Sequence, residues 1–392
     1  MARYRELIVA DLMDIMPGVA DLERRASRRI PFFAWEYLVS GTGDDRAVQN
    51  NLDRMATVEL LPQLLKGPLD PSIDTELFGV RYAAPIGIAP VGLTGLIWPG
   101  ADHALAHTAA ENRIPYTLST VATESIEVAG PNAEGMGWFQ LYPPRDATLR
   151  DDLIDRAAAA GFTTLVVTAD VPTSSRRERQ RKAQVRVPPV IGPKMLFRSA
   201  VRPVWSVETL RHGLPRFRTL EPYLDEATMR ATAGFVGANL GGTLSFDYLA
   251  EVRRRWNGPL VVKGIMDVGD ARRCVETGAD GVQVSNHGGR QLDGVPAAID
   301  VLADIKAEVG DQAAVLFDSG VRSGLDVARA LALGADFVFC GRAFMFGLGA
   351  AGAPGADHAY QILREGLINT MAQTGCATLS ELPSRLAAGA AQ

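Results

Sequence analysis

Cysteine is scarce in this chain: three among 392 residues, Cys274, Cys340 and Cys376. Spacing that wide gives neither a disulfide framework nor a metal-ligand pattern, so a reducing, cytoplasmic setting is expected. Histidine is scarce too, with five. His103 and His107 stand four apart and could share a helix face, but no third ligand and no intervening Glu accompanies them, so no metal site is expected. His212 and His358 sit in no motif. An excess of either charge is also missing. The balance of 40 basic against 45 acidic residues leaves a net charge of -5, which removes the electrostatic reason to expect nucleic acid as a partner. Residues 1–14 lack the apolar core of a signal peptide. One uncharged run, 82–101, is long enough to span a bilayer, yet Pro85, Pro90, Pro99 and four glycines interrupt it. A buried strand followed by a loop is the reading it supports.

What is present is a globular composition, 47% apolar and 22% charged, without low-complexity tracts. From residue 85 onward short apolar runs alternate with helical patterns. The strand-like runs are 85–89, 116–119, 137–142, 164–168, 260–263, 281–285, 314–318 and 336–340. Helix-like stretches lie between them, at 101–112, 149–160, 246–256, 270–277, 297–309 and 324–333. Several end in a small-residue stop such as Ala160-Gly161 or Leu333-Gly334-Ala335. Eight apolar strands alternating with helices predict an α/β fold, a parallel (β/α)8 TIM barrel in a single domain spanning 1–392. A doubly wound sheet is the competing architecture, but no Gly-x-Gly-x-x-Gly joins a first strand to a helix. Residues 1–75 read as an N-terminal helical cap. Residues 171–240, after strand four, form a lid-like insertion. It gathers basic residues at Arg176, Arg177, Arg179, Arg181, Lys182 and Arg186, then at Lys194, Arg198 and Arg202. A solvated face is the ordinary reading of such a run; a lid, or a peripheral docking surface for a partner or a membrane, is the other.

One stretch concentrates chemistry: Ser285-Asn286-His287-Gly288-Gly289-Arg290-Gln291. His287 can take a proton near neutral pH. Arg290 can fork onto a carboxylate through two parallel hydrogen bonds. Gly288 and Gly289 let backbone pass close to a bulky ligand. Active sites of such barrels form at the C-terminal ends of the strands, and nearly every strand here ends in a polar group. The ends of strands seven and eight, Asp318-Ser319-Gly320-Val321-Arg322 and Gly341-Arg342, offer small residues and two arginines where this fold tends to bind phosphate. With Lys263 ending strand five, a phosphorylated cofactor lying across the mouth is expected. An ion pair with a neighbouring strand-end carboxylate is the competing role for Lys263.

These residues resemble the FMN-dependent 2-hydroxy acid oxidases and dehydrogenases, a family that includes glycolate oxidase, lactate oxidase, L-lactate dehydrogenase and (S)-mandelate dehydrogenase. The resemblance runs from about residue 20 to about 380. Besides 285–291 it includes Tyr37 before Ser40-Gly41, Phe139-Gln140-Leu141-Tyr142, Arg176-Arg177-Glu178, Val262-Lys263-Gly264 and Asp318-Ser319-Gly320-Val321-Arg322. It implies an FMN-dependent enzyme that oxidises a small (S)-2-hydroxy acid, mandelate- or lactate-like, to the 2-oxo acid. His287 would be the base and Asp170 its carboxylate partner. Arg177 and Arg290 would clamp the substrate carboxylate with Tyr37, and Tyr142 would meet the substrate hydroxyl. Lys263 would lie beside the flavin ring. Ser119, Gln140, Thr168, Ser285 and the backbone at Ala89, Pro90 and Val91 would contact the flavin. Asp318, Gly320, Arg322, Gly341 and Arg342 would hold its ribityl and phosphate groups.

Two positions depart from the plant glycolate oxidase pattern. Val121 stands where that enzyme has Trp, which opens the pocket to a bulkier side chain. Gly92 stands where oxidases have Ala; glycine there is similar to mandelate dehydrogenase, as is the whole segment 92–99. Both positions are expected to border the substrate. Reduced FMN would pass electrons to a quinone, another carrier or oxygen. The resemblance also implies a homo-oligomer, a tetramer in the family. An FMN barrel isomerase and a non-catalytic flavin-binding electron carrier are the alternatives. Neither needs a histidine, two arginines and two tyrosines arranged for a hydroxy acid, and anaerobic bleaching by such an acid separates the three.

Overall fold

The computed structural model describes residues 12–185, 192–224, 226, 228–242 and 244–387; Arg186 of the basic cluster lies outside them. Eight parallel strands close into a barrel: β1 (Ile86–Ile88), β2 (Tyr116–Ser119), β3 (Gly137–Leu141), β4 (Thr164–Thr168), β5 (Leu260–Ile265), β6 (Gly281–Val284), β7 (Ala314–Phe317) and β8 (Phe337–Cys340). β8 returns to β1, with Val338 opposite Ile86 and Cys340 opposite Ile88. Nearly every strand residue is buried. Both faces are covered, by helices outside and packed side chains inside, which is why the sequence shows continuous apolar runs rather than alternation. An antiparallel hairpin, Thr75–Leu77 with Val80–Tyr82, packs toward the N-terminal end of the barrel. There Phe78 and Phe339 lie 5.9 and 5.1 Å from Trp138, whose indole N–H donates to Tyr82 at 3.2 Å.

Among the described residues, a helical stretch at 12–15 and then α1 (Val19–Arg29), α2 (Phe32–Val39) and α3 (Arg46–Ala56) precede the barrel. The helical part of the expected cap stops at Ala56. Residues 57–74 are extended instead, with isolated bridges from Leu60 to Leu386 and from Ser72 to Thr378. Their Pro and Gly content (Pro62, Gly67, Pro68, Pro71) accounts for this. α1 packs on the helix after β8, where a Cβ on Gly349 would meet Ala26 at 2.9 Å.

The insertion between β4 and β5 folds as α4 (Glu178–Lys182), α5 (Pro193–Ala200), α6 (Pro203–His212), a 3-10 turn at Arg218–Tyr223, and α7 (Met229–Asn239). Proline opens α5 and α6 at their first positions, where its missing N–H costs nothing. The insertion is anchored at several points. The Trp205 indole donates to Leu96 O at 3.3 Å and Ile97 O at 3.1 Å, the Gln180 amide donates to Ser40 Oγ at 3.1 Å, and Leu240 bridges Pro144.

Candidate active site

A cavity of about 670 Å3 opens at the C-terminal ends of the strands, in the size range of small-molecule sites. Of the residues singled out above, Tyr37, Ala89, Pro90, Val91, Gly92, Val121, Tyr142, Arg177, Lys263, His287, Arg290, Asp318, Gly320, Arg322, Gly341 and Arg342 line it. Ser119, Gln140 and Thr168 do not. They form a buried row across β2, β3 and β4, with Ser119 donating to the Gln140 amide oxygen at 2.7 Å and the Gln140 N–H donating to Thr168 at 2.8 Å. Ser285 and Asp170 stand just behind the lining.

After β6 the backbone takes three consecutive left-handed residues, His287, Gly288 and Gly289. Glycine adopts this readily; His287 does so because its surroundings fix it. Ser285 Oγ accepts from the His287 N–H at 3.1 Å, and Ser319 Oγ accepts from the Gly288 N–H at 3.0 Å. Asn286 and Asn51 exchange two amide hydrogen bonds, both 2.8 Å, which tie the loop to α3. The strained turn aims the imidazole into the cavity. Its Nδ1 meets Asp170 Oδ1 at 2.7 Å and its Nε2 lies 3.5 Å from the Tyr142 hydroxyl. Burial pushes the His287 pKa down, against the pull of Asp170, so the ring is neutral and able to accept a proton. Burial works the other way on Asp170, but His287 and Lys263 outweigh it and hold the carboxyl below its ordinary range. Burial pushes the Tyr142 hydroxyl up to about 12, so it stays protonated.

Lys263 is buried among carboxylates. Its Nζ lies 3.2 Å from Asp318 and 3.7 Å from Asp170, and donates to Ser285 Oγ at 2.9 Å. Burial opposes its charge, but Asp318 and Asp170 overcome it and raise the pKa, so Lys263 stays an ammonium. The ion-pair reading of Lys263 is therefore realised while the residue still faces the cavity. Gly264, next along, bulges out of β5 at φ 100°. A Cβ there would fall 2.5 Å from the Asp170 carboxyl carbon, so glycine is what allows Asp170 to reach both His287 and Lys263.

The arginines are held differently. Arg290 donates to three carbonyls at the end of α2, Tyr37 at 2.9 Å, Ser40 at 3.2 Å and Leu38 at 3.3 Å, and lies over the Tyr37 ring. Arg342 shares two of these acceptors, Leu38 at 3.1 Å and Ser40 at 3.3 Å, and also reaches Gly288 O at 3.0 Å. A helix C-terminus carries partial negative charge, which steadies both cations without consuming them in ion pairs. Among the described residues no carboxylate forms a salt bridge with Arg290, Arg322 or Arg342. Burial pushes all three pKa values down, that of Arg290 to about 10, with Arg177 adding to the effect. Arg177, itself left-handed at φ 44°, is braced by Ser175 at 3.0 Å. This end of the cavity is short of anions.

A model of the FMN-dependent dehydrogenase family matches residues 26–388. The chain belongs to that family. It is 37% identical to an L-lactate dehydrogenase of Pectobacterium atrosepticum, over 94% of this chain and 96% of that one. It is 38% identical to an L-lactate dehydrogenase of Xanthomonas euvesicatoria pv. vesicatoria, over 94% and 95%. Among solved structures, the monotopic membrane protein (S)-mandelate dehydrogenase superposes with a TM-score of 0.89 at 35% identity, covering 94% of this chain and 98% of that one. A mandelate oxidase superposes at 0.79 and 33%, covering 94% and 97%. The protein is thus an FMN-dependent 2-hydroxy acid dehydrogenase or oxidase with a (β/α)8 barrel.

The residues present fit FMN. Arg322 and Arg342 are half-buried cations that form no salt bridge with a carboxylate among the described residues; they lie beside Gly320 and Gly341, which suits a phosphate, and Lys263 supplies a positive charge farther along the same cavity. In this flavoenzyme the pocket wall at Gly92 is tight: a Cβ there would sit 2.8 Å from Val121 Cγ2 and 3.7 Å from the Tyr37 hydroxyl. Tyr37 donates to Gly92 O at 2.9 Å. Sequence reasoning missed the supporting residues. Gln283 donates to Asp318 at 2.7 Å, Ser319 carries the His287 loop, and Asn51 pins Asn286. It also missed Val236, Gly237 and Leu240 of the insertion, which line the cavity. Apart from Ser319, which sits within the Asp318-Ser319-Gly320-Val321-Arg322 segment, none belongs to a chemically distinctive motif; only the fold brings them in.

Proposed function

We propose that this enzyme oxidises (S)-2-hydroxy acids with a bulky, apolar side chain and delivers the electrons to a membrane quinone in preference to oxygen. The observation that carries the chemistry is the His287–Asp170 pair, 2.7 Å apart, with His287 on the same cavity as Arg290 and Arg177. FMN, when bound, supplies the two-electron acceptor. Asp318, Gly320, Arg322, Gly341 and Arg342 would hold its ribityl phosphate, and Lys263 and the backbone of Ala89, Pro90 and Val91 would face the ring, with Ser119, Gln140, Thr168 and Ser285 supporting that wall from a layer behind. Arg290 and Arg177 fork onto the substrate carboxylate, and Tyr37 adds a hydroxyl. Tyr142, kept protonated, steadies the substrate hydroxyl. His287 accepts a substrate proton at Nε2, and Asp170 stabilises the resulting imidazolium.

Val121, Val236 and Leu240 make the remaining wall apolar, which favours mandelate-like over glycolate-like acids. The insertion forms the lid over that wall. Its outer surface exposes Leu196, Phe197, Val204, Val207, Leu210 and Leu214 beside Lys194, Arg198 and Arg211. Such a face suits peripheral attachment to an anionic bilayer, where a quinone is at hand; among the described residues no helix is long and apolar enough to cross one. The test is kcat/KM for mandelate, lactate and glycolate, followed by reoxidation of the reduced enzyme with air or a quinone. Mandelate ahead of glycolate and slow reoxidation in air are expected. Glycolate as the best substrate overturns the pocket reading, and rapid stoichiometric peroxide overturns the acceptor reading.

A further inference from the structure

The loops after β1 and β2 meet over the pocket wall, and one buried carboxylate stands between them. Asp102, in the first turn of the helix Ala101–Asn112, is 2% exposed. Its Oδ2 accepts from the Thr94 hydroxyl at 2.6 Å, the Thr123 N–H and hydroxyl at 2.9 Å each, and the Glu124 N–H at 3.1 Å. Its Oδ1 accepts from the Tyr116 hydroxyl at 3.0 Å. A carboxylate in a helix's first turn is common, because the helix dipole favours it. That alone does not explain five donors from outside its own helix. Thr94 ends the turn that carries Gly92 and Leu93; Thr123 and Glu124 follow Val121. The two loops also touch directly, Leu93 N–H donating to Val121 O at 2.8 Å and Gly95 N–H to Thr123 Oγ1 at 2.9 Å. Leu93 is held at φ 52°, a conformation a leucine keeps only when its surroundings impose it.

We infer that Asp102 is a positioning residue that sets the width of the substrate side-chain compartment by locking the Gly92 loop against the Val121 loop. It touches neither substrate nor cofactor. The inference rests on the reading that Gly92 and Val121 border the substrate side chain. Removing the acceptor frees Thr94 and Thr123, lets Leu93 relax, and parts two residues already in close contact. Selectivity for side-chain size should then blur, while His287, Arg290 and the flavin pocket stay as they are. An asparagine can keep its oxygen toward the loop donors and its amide toward Tyr116, whose hydroxyl can turn to accept.

The experiment compares Asp102→Ala, Asp102→Asn and Val121→Trp in the FMN-loaded enzyme, measuring kcat and KM for 2-hydroxy acids of graded side-chain size, with flavin content as the control. Asp102→Ala should change the mandelate-to-glycolate ratio of kcat/KM by about tenfold, mainly through KM, the scale that small pocket changes reach. Asp102→Asn should restore the ratio. If Asp102→Ala fails to retain flavin, the Thr94→Val/Thr123→Val double variant removes the two hydroxyl donors with little change in volume and should move the ratio the same way by less. An unchanged ratio in Asp102→Ala or the double variant, while Val121→Trp shifts it, overturns the clamp and leaves the pocket reading standing. No shift in Val121→Trp overturns the pocket reading, and the clamp with it.

Discussion

At His287 burial and the Asp170 carboxylate pull in opposite directions, and burial prevails. The ring therefore titrates below its ordinary value of 6.5. The sign of the pH dependence follows. The base is competent when neutral, so flavin reduction should be flat through neutral pH and fall only as the pH drops below 6.5. Asp170 is depressed as well, so the unfolded chain binds more protons than the native one in acid, and stability present above those ordinary values is lost as pH falls. His287→Ala should keep FMN and slow anaerobic reduction by about 100- to 10,000-fold, the range general-base catalysis supplies; stopped-flow absorbance checks it. Near-normal reduction would remove His287 from its role. Arg290 is held by carbonyls and left without a counter-charge. Arg290→Lys loses the planar fork and should lower kcat/KM by about 10- to 100-fold, the worth of one charged hydrogen bond. The parent enzyme should also prefer 2-hydroxy acids to the matching diols. Equal rates with both would refute the clamp.

The elements explain what the sequence could disclose. Each barrel strand is covered on both faces, so its run is apolar, and β1 to β8 were all legible within a residue or two. His287, Arg290 and Lys263 were legible because reactive side chains at strand ends stand out from such runs. The C-terminal turn of α2 was not, because what it contributes to Arg290 and Arg342 is backbone oxygen, which no side chain advertises. The helices of the insertion escaped for another reason: α5 and α6 are short and proline-started, and they leave apolar residues exposed, so no buried stripe marks them. Gly264 also looked ordinary until the bulge in β5 showed its Cβ direction pointing at Asp170. Gly264→Ala should destabilise the enzyme by about 1–3 kcal/mol, the usual cost of a forced left-handed residue, and slow flavin reduction as well by displacing Asp170. Denaturant unfolding and stopped-flow reduction check the two effects separately. A variant with wild-type stability and rate would mean that Asp170 does not need this approach.

On the scale of the whole molecule, one insertion both lines part of the barrel mouth and carries the exposed apolar residues of α5 and α6. Its indole Trp205 reaches inward to Ile97, a residue of the cavity wall, while Phe197 and Leu210, 68% and 85% exposed, point outward. Replacing both with serine should weaken co-sedimentation with anionic vesicles by about tenfold or more, since each buried large apolar side chain contributes roughly 1.5–3 kcal/mol. The flavin and its reduction by substrate should be untouched. Unchanged vesicle binding would place any membrane contact elsewhere.

The central claim is that His287, Asp170 and the two arginines act together on one 2-hydroxy acid at the mouth of this barrel. Anaerobic mixing of the FMN-loaded enzyme with (S)-mandelate, and separately with (R)-mandelate, tests it most directly. The account predicts that the (S)-acid bleaches the flavin with one equivalent of 2-oxo acid formed per flavin, and that the (R)-acid does not. A flavin that stays oxidised with (S)-mandelate, (S)-lactate and glycolate alike, in an enzyme that holds its full complement of FMN, would contradict it.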